Sequence, residues 1–381
     1  MKTVVNTARV LVGILFIFSG LVKAIDPLGL AYKMQEFFEA WSNAGIMKGL
    51  MSWLDGQALM FSILMITMEV VLGVALLLGW RKNLVSWLLL LLMLFFTFLT
   101  SYVLFSGKIR ACGCFGDCIP LTPIQTFTKD IVLLILVLLI LFGRKYINPV
   151  FSNRINISIF LISLLGVLGL QWYVLNHLPV KDCLPFKIGN NILELRKMPK
   201  DAVPDKFDYK FVYKKNGESK EFAVSALPDS TWEFVDRKQV LVEKGKNNVA
   251  LINDFILKTA TDADTTEAIL SQQGEYYLLF AKDFNQKEDK WYKEFNQFYS
   301  NNKYPVYLIT SDPKTAKEIF LIPGQYKLTI LSCDATAIKT AARVNPTLFL
   351  MEGSIVKNKK SWSDSKVIRK FVIKDPAFKI L

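Results

Sequence analysis

The first 178 residues carry five apolar stretches, each about as long as a membrane-crossing helix, and no other feature constrains the fold as strongly. A hydrocarbon core about 30 Å thick needs roughly 20 apolar residues in helix. Thr7–Ile25, Ala58–Leu78, Leu84–Phe105, Ile124–Phe142 and Ile155–Val174 meet that length. In lipid each backbone N–H and C=O must find its partner within the protein, which makes these segments helices. The first reads as an anchor rather than a cleaved leader, since it lacks a small-residue cleavage site and runs on into SGLVKAIDP. Near the start of the fourth, Lys129 and Asp130 are expected to reach the headgroup region.

Beyond about Leu178 the composition becomes that of a soluble domain, with charges throughout. Lys and Arg number 13 against 7 Asp and Glu through residue 180, and 33 against 26 from Lys181 onward. The net +13 therefore combines membrane topology with a mildly basic domain. It forms no basic stripe with interleaved aromatics, which argues against nucleic-acid binding. Lys2, Arg9, Arg81, Lys82, Arg144, Lys145 and Arg154 flank the spans on one side. The positive-inside rule makes that side cytoplasmic. The expected protein is a multi-pass inner-membrane protein in contact with the lipid bilayer, its N-terminus cytoplasmic and its C-terminal part periplasmic. Lys108 and Arg110, in an outer loop, run against the rule.

Two features of the membrane part invite a chemical reading. Tyr32–Leu54 is amphipathic and aromatic-rich, with Phe37, Phe38, Trp41 and Trp53. It reads as an interfacial segment, with a lid over a cavity as the alternative. Glu69 falls in mid-span, where a carboxylate is costly enough to suggest function. Its candidate partner is Lys23, as a structural pair or as a proton-handling site.

The five cysteines are unevenly placed. Cys112, Cys114 and Cys118 lie in CGCFGDC before the fourth span, and Cys183 follows the fifth span on the same expected face. Disulfides persist in such a compartment. Redox-active thiols are the leading reading: exchange requires a thiolate, and the helix N-terminus after Cys118 lowers a thiol pKa. Cys112 and Cys114 are close for bridging each other, which favours 114–118 or 112–183 pairing. A structural disulfide is the second reading. Metal binding is the third and weakest, because C-x-C-x3-C departs from the usual knuckle spacing and His177 is the only histidine. Cys333, at a strand end, reads as core, with pairing to another thiol as the alternative.

The opening ARVLVGILFIFSGLVKAIDPLG resembles DoxX-type membrane proteins, and CGCFG before the fourth span resembles their MauE branch, linked to methylamine utilisation and disulfide formation. Glu69 with Leu72-Gly73 and Leu78-Gly79 is similar to that family's second helix. The resemblance covers residues 5–145 and implies a four-helix redox-associated bundle with Cys112 and Cys114 as the family's cysteines. The fifth span and the large C-terminal part depart from it. The whole layout resembles the DoxX-domain proteins of Bacteroidetes. Vitamin K epoxide reductase-type enzymes share a four-helix bundle with outer-face cysteines and pass electrons to a quinone. Their C-x2-C is absent here, so a quinone cofactor enters by analogy alone.

In the C-terminal part, DYKFVYKKNGESKEFAV alternates apolar and polar residues about Asn-Gly and predicts a hairpin. STWEFVDRKQVLVEKG is read as a second strand pair. From YYLLF onward strands alternate with helices (EDKWYKEFNQFYSNN, PKTAKEIFLI, ATAIKTAA and a final helix from SDSKVIRKFVI), predicting an α/β sheet. This order, with RVNPTLFL, resembles thioredoxin-like proteins whose strand opens with a cis-proline, here Pro346. No C-x2-C follows YYLLF.

The expected organisation is a four-helix DoxX/MauE-like bundle (1–148), a fifth span and linker (149–180), a periplasmic β-rich module (181–248) and a thioredoxin-like domain lacking C-x2-C (249–381). The expected function is thiol–disulfide exchange with envelope-protein thiols, with Cys114 or Cys118 attacking and Cys112 or Cys183 resolving. Glu69 and Lys23 are the candidate cofactor residues, and no metal ligands are assigned. The alternative is a non-enzymatic scaffold in which the cysteines are staples.

Overall fold

The computed structural model describes residues 1–109, 113, 115–215, 217–243, 245, 247–284, 290–300, 302–320 and 328–364. Five helices are long and apolar enough to cross a membrane: α1 (Lys2–Ala24), α4 (Ala58–Leu78), α5 (Lys82–Ser106), α6 (Pro123–Phe142) and α7 (Asn153–Asn176). Among the described residues these five helices carry the five predicted spans: α4 matches its bounds, and the others differ from theirs by one to five residues at an end.

Small residues set the closest approach in the bundle. A Cβ added at Gly73 of α4 would lie 2.9 Å from the Gly13 carbonyl oxygen of α1, and one at Gly20 would lie 2.6 Å from Val70 Cγ2. Contact this close lets two helices gain dispersion energy where lipid supplies no hydrophobic drive. Val5, Val12, Phe16, Leu76, Leu89, Met93, Val137 and Ile140 fill the shared core with α5 and α6. At one end of the bundle, Arg9 Nη1 and Lys82 Nζ donate to the carbonyls of Asn148 and Ile147. The Val150 amide there donates to Leu78 O. These contacts gather the basic ends of α1 and α5 around the 143–153 connection.

Tyr32–Leu54 is not a single interfacial helix. It belongs to α2 (Pro27–Asn43) and α3 (Lys48–Gly56), separated by a turn at Gly45, whose φ is +83°. The N-cap Asp26 accepts from Gly29 N, and Pro27 opens α2. Phe37 is buried against Leu99, Val103 and Ile109, so half of the segment's aromatic face packs on α5 rather than on lipid.

The C-terminal part contains two sheets. β1 (Lys206–Lys215) pairs antiparallel with β2 (Glu218–Ala223), closing with Lys215 opposite Glu218. This is the hairpin the Asn-Gly pair predicts. β3 (Glu233–Glu243) lies on the other side of β1, so STWEFVDRKQVLVEKG supplies one strand instead of two. The bulge between Val212 and Tyr213 lets its 11 residues follow β1 without a turn.

The second sheet has the order β6-β5-β4-β7-β8. Its strands are β4 (Glu275–Phe280), β5 (Val306–Thr310), β6 (Thr329–Ser332), β7 (Thr347–Glu352) and β8 (Ile355–Ser361). β4, β5 and β6 are parallel, and β7 and β8 add antiparallel. Helices α10 (Lys290–Ser300), α11 (Pro313–Phe320) and α12 (Ala335–Ala341) make the connections. The Asn345–Pro346 peptide is cis, as the likeness to thioredoxin-like proteins implied. Short helices α8 (Ile192–Leu195) and α9 (Thr266–Leu270) cover one face. Phe186 and Ile192, counted with the β-rich module from sequence, pack in the core of this second sheet with Phe255, Tyr276, Phe280 and Phe349. The final helix expected from SDSKVIRKFVI lies, past Asp364, outside the described residues.

Candidate thiol and ion-pair site

The site is built where the bundle meets the second sheet. Thr122 caps α6 by accepting from Gln125 N, and the Gln125 side chain accepts the Thr122 amide in return. Pro123 stands at the first helical position. This fixed start anchors the end of the cysteine loop. α7 ends at Asn176, where Ser361 Oγ donates to its carbonyl and His177 Nδ1 lies 2.8 Å from Asp364 Oδ1.

Cys118 and Cys183 are joined in a disulfide with a Cα–Cα distance of 4.9 Å. This differs from the expected 114–118 or 112–183 pairing. The reason is tertiary: the segment after α7 returns to the end of the cysteine loop at Cys118, and spacing within CGCFGDC does not say which loop cysteine it meets. Cys112 and Cys114 lie outside the described residues. Cys333 sits in the core of the second sheet, where burial pushes its thiol up to about 12. It is a free, buried cysteine, the environment the core reading expects. Among the described residues no group of three His, Cys, Asp or Glu is placed to hold a metal.

Each bridged cysteine follows an aspartate, and each aspartate is gripped by a buried cation of the C-terminal part. Arg343 Nη2 donates to Asp117 Oδ2 at 2.8 Å, and its Nε donates to Asp26 Oδ2 at 2.9 Å. Lys359 Nζ donates to Asp182 Oδ2 at 2.9 Å. The two cationic side chains are 6% and 2% exposed, while Asp117 is 40% exposed, so the cations are buried and the Asp117 carboxylate keeps one side in solvent. Burial works against the charge on Arg343, but Asp26 and Asp117 together hold its guanidinium above its ordinary value. Burial pushes the Asp26 carboxyl up, against the pull of Arg343. The same desolvation lowers Lys359, opposed by Asp182.

Around Arg343 the seam is closed by Tyr32. The guanidinium carbon lies 5.3 Å and Lys339 Nζ 5.2 Å from the ring centre, a distance at which cation–π attraction operates. Lys282, in the loop after β4, donates to Arg343 O at 2.9 Å and to the Tyr32 hydroxyl at 3.3 Å. Burial, with Arg343 and Lys339 nearby, lowers its ammonium to about 8. Arg343, Lys359, Lys282, Asp26, Asp117 and Asp182 all escape a sequence reading. Their only local signal is the repeated Asp-Cys dipeptide.

Below this layer a cavity of about 410 Å³ opens among α1, α4, α5 and α6, with Phe115 of the cysteine loop in its lining. Lys23 Nζ donates to both carboxylate oxygens of Glu69 at 2.6 and 2.7 Å, and to Ser19 Oγ at 2.8 Å. The pairing expected from Glu69 in mid-span is therefore present, with both side chains buried. Asp130 also lines the cavity and is 1% exposed, so its side chain is turned into the bundle. Lys129 Nζ pairs with its Oδ1 at 2.8 Å, while its buried Oδ2 has no hydrogen-bond partner. The cavity thus offers apolar walls (Phe16, Met93, Phe96, Leu133) and a polar end with donors Lys23, Gln125 and Lys129 and acceptors Glu69 and Asp130.

The comparisons with known proteins fall on both parts of the chain. Residues 207–244 match a family described as a domain of unknown function (DUF8463). Protein TlpB of Flavobacterium psychrophilum is 30% identical over 165 residues, 42% of this chain and 42% of that protein. The chain therefore spans less than half the length of the relative it matches. No solved structure matches. Residues 1–143, which carry α1 through α6 and the cysteine loop, match the family model of the methylamine utilisation protein MauE, so the membrane part of this chain is MauE-like, as its CGCFG loop implied.

Proposed function

We propose that this chain is a thiol–disulfide electron-transfer protein of the inner membrane, acting on envelope proteins at the periplasmic face. The observation that carries the reading is the Cys118–Cys183 disulfide at the mouth of a bundle whose cavity holds the Lys23–Glu69 pair. A thiolate of a substrate dithiol attacks one sulfur of the disulfide, forming a mixed disulfide and releasing the other sulfur as a thiolate. The second substrate thiolate then resolves the mixed disulfide. The substrate leaves oxidised, and Cys118 and Cys183 hold two electrons and two protons as thiols. A two-electron acceptor then takes those electrons and protons and regenerates the Cys118–Cys183 disulfide, with Cys112 and Cys114 as the further candidate thiols of the same loop.

The onward acceptor we assign is a lipid-soluble quinone, which takes up two electrons and two protons. The cavity fits such a group: its apolar walls suit a substituted ring, and Lys23, Gln125 and Lys129 are donors for carbonyl oxygens. The orphaned Oδ2 of Asp130 and the Glu69 carboxylate are proton acceptors or relays. The basic loop ends gathered around residues 143–153 support the orientation by the positive-inside rule.

The test uses full-length protein in lipid nanodiscs with a reduced dithiol peptide and a short-chain quinone, following quinol formation and peptide oxidation together. The expected result is one quinol per peptide disulfide, lost in Cys118→Ser and Cys183→Ser and slowed in Glu69→Gln. Peptide oxidation that continues without quinone turnover removes the acceptor. No turnover with either partner favours a structural staple holding the C-terminal part to the bundle.

A further inference from the structure

Two aspartates stand directly before the two bridged cysteines, Asp117 before Cys118 and Asp182 before Cys183. They come from segments 65 residues apart in sequence, and each is held by a different cation of the C-terminal part. Arg343 lies just before the cis Asn345–Pro346 peptide that leads into β7, and Lys359 lies on β8, opposite Phe349 of β7. β7 and β8 are adjacent antiparallel strands; Lys359 stands on that ladder, and Arg343 stands four residues before it, in the segment between α12 and β7. Arg343 is fixed further by donating through Nη1 to Lys339 O, and Lys359 stands over the Phe349 ring at 5.1 Å.

We propose that Arg343 and Lys359 are positioning residues for the Cys118/Cys183 pair, holding both cysteine-bearing segments in bonding register after the bond is reduced. Two thiols on independently moving segments drift apart once their bond is broken, and the effective concentration that re-forms the bond falls. Here each segment is held one residue from its sulfur by a buried cation, one on β8 and one in the segment that leads into β7. The dithiol therefore keeps the neighbourhood of the disulfide, and oxidation carries little ordering cost. On this account the C-terminal α/β domain, which lacks a C-x2-C of its own after β4, serves exchange by clamping the bundle's thiols. The balanced equilibrium is disulfide plus two glutathione thiols giving the dithiol plus glutathione disulfide. The clamp shifts it towards the protein disulfide.

The inference rests on the thiol-exchange reading for its purpose but not for its test. Full-length protein in nanodiscs is equilibrated across a series of glutathione redox buffers, acid-quenched and labelled with a maleimide, and the oxidised fraction of Cys118/Cys183 is read. Asp117→Asn and Asp182→Asn keep side-chain size and a hydrogen-bond acceptor, so they preserve the fold while removing the charge that grips the cation. Each is expected to shift the equilibrium constant towards the dithiol by about tenfold, which is about 30 mV for a two-electron couple. The double variant is expected to shift it further. Arg343→Lys, which keeps the charge, should fall between wild type and Arg343→Gln. Removing the surface Lys357–Glu352 pair of the same sheet by Glu352→Gln should leave the titration unchanged. Wild-type titration of the double aspartate variant, or an equal shift in Glu352→Gln, overturns the proposal. The function reading fails separately, if the nanodisc protein does not turn over substrate dithiol while these shifts still appear.

Discussion

Replacing Glu69 with alanine strands Lys23 inside the bundle without its counter-charge. Lys23 and Glu69 are 3% and 2% exposed, and the ammonium contacts both carboxylate oxygens, the Ser19 hydroxyl and, at 5.3 Å, the Phe96 ring. Breaking a buried ion pair by removing one partner costs about 3–5 kcal/mol, because the remaining ion keeps its desolvation penalty. Replacing both partners with apolar residues of similar volume is close to neutral, since neither penalty remains. Lys23→Met alone and Glu69→Ala alone should therefore each lower the unfolding free energy by about 3 kcal/mol or more, while Lys23→Met/Glu69→Leu should stay within about 1 kcal/mol of wild type. Equilibrium unfolding in mixed micelles, followed by tryptophan fluorescence, reads all three. Single variants within about 1 kcal/mol of wild type would refute the reasoning, as would a double variant as unstable as the sum of the singles.

Three further outcomes follow from the geometry. Gly73→Leu places a side chain where a Cβ alone would be 2.9 Å from Gly13 O and 2.9 Å from Ile17 Cγ1; overpacking of this kind costs about 1–3 kcal/mol or more, and folded yield in detergent should drop sharply, whereas Gly166→Ala, with open space around it, should not. Cys183→Ser opens a loop of 65 residues, and a chain-entropy estimate gives up to about 4 kcal/mol; the helices α6 and α7 already restrict that loop in the membrane, so the loss should fall nearer ~2 kcal/mol, read as a lower unfolding midpoint under non-reducing conditions only. Lys282 gives a pH dependence: its folded pKa of about 8 lies below the ordinary value, so its penalty is complete below pH 8 and is relieved as pH rises from about 8 towards 10.5. Arg343, Lys339, Asp26, Asp283 and Tyr32 face it, and burial raises Tyr32 to about 12, out of that window. Resistance to proteolysis at the seam between bundle and C-terminal part should increase from pH 7 to 9.5, and Lys282→Met should flatten the rise.

Local periodicity and turn chemistry carry the parts of this protein that a sequence reader can find. Unbroken apolar runs specify the five spans, and Asn216-Gly217 between alternating segments specifies the first hairpin. A carboxylate in mid-span asks for a partner, and Lys23 is the cation at the matching depth. The parts that stay hidden depend on contacts with no local trace. The Arg343–Asp26 pair joins residues 317 apart in sequence, and Arg343 reads as an ordinary surface charge until the fold buries it. The sequence places Cys183 in the same outer layer as the CGCFGDC loop but does not say which loop cysteine it meets, and the fold pairs it with Cys118. Tyr32–Leu54 has the pattern of an interfacial segment, but that pattern does not show that Phe37 packs against Leu99 and Val103 of α5. Asp130 looks like a headgroup-level charge because helix-end position is legible and the cavity beside it is not.

The central claim is that the Cys118–Cys183 disulfide is exchanged in use rather than held as a staple. Acid-quenched thiol trapping in intact cells, before and after a brief reductant pulse, tests it most directly. The account predicts that Cys118 and Cys183 pass through the reduced state and return to the disulfide within the time respiration needs to act, and that blocking the respiratory chain arrests that return. A disulfide that stays fully oxidised through the pulse, or that re-forms at the same rate with respiration blocked, would contradict it.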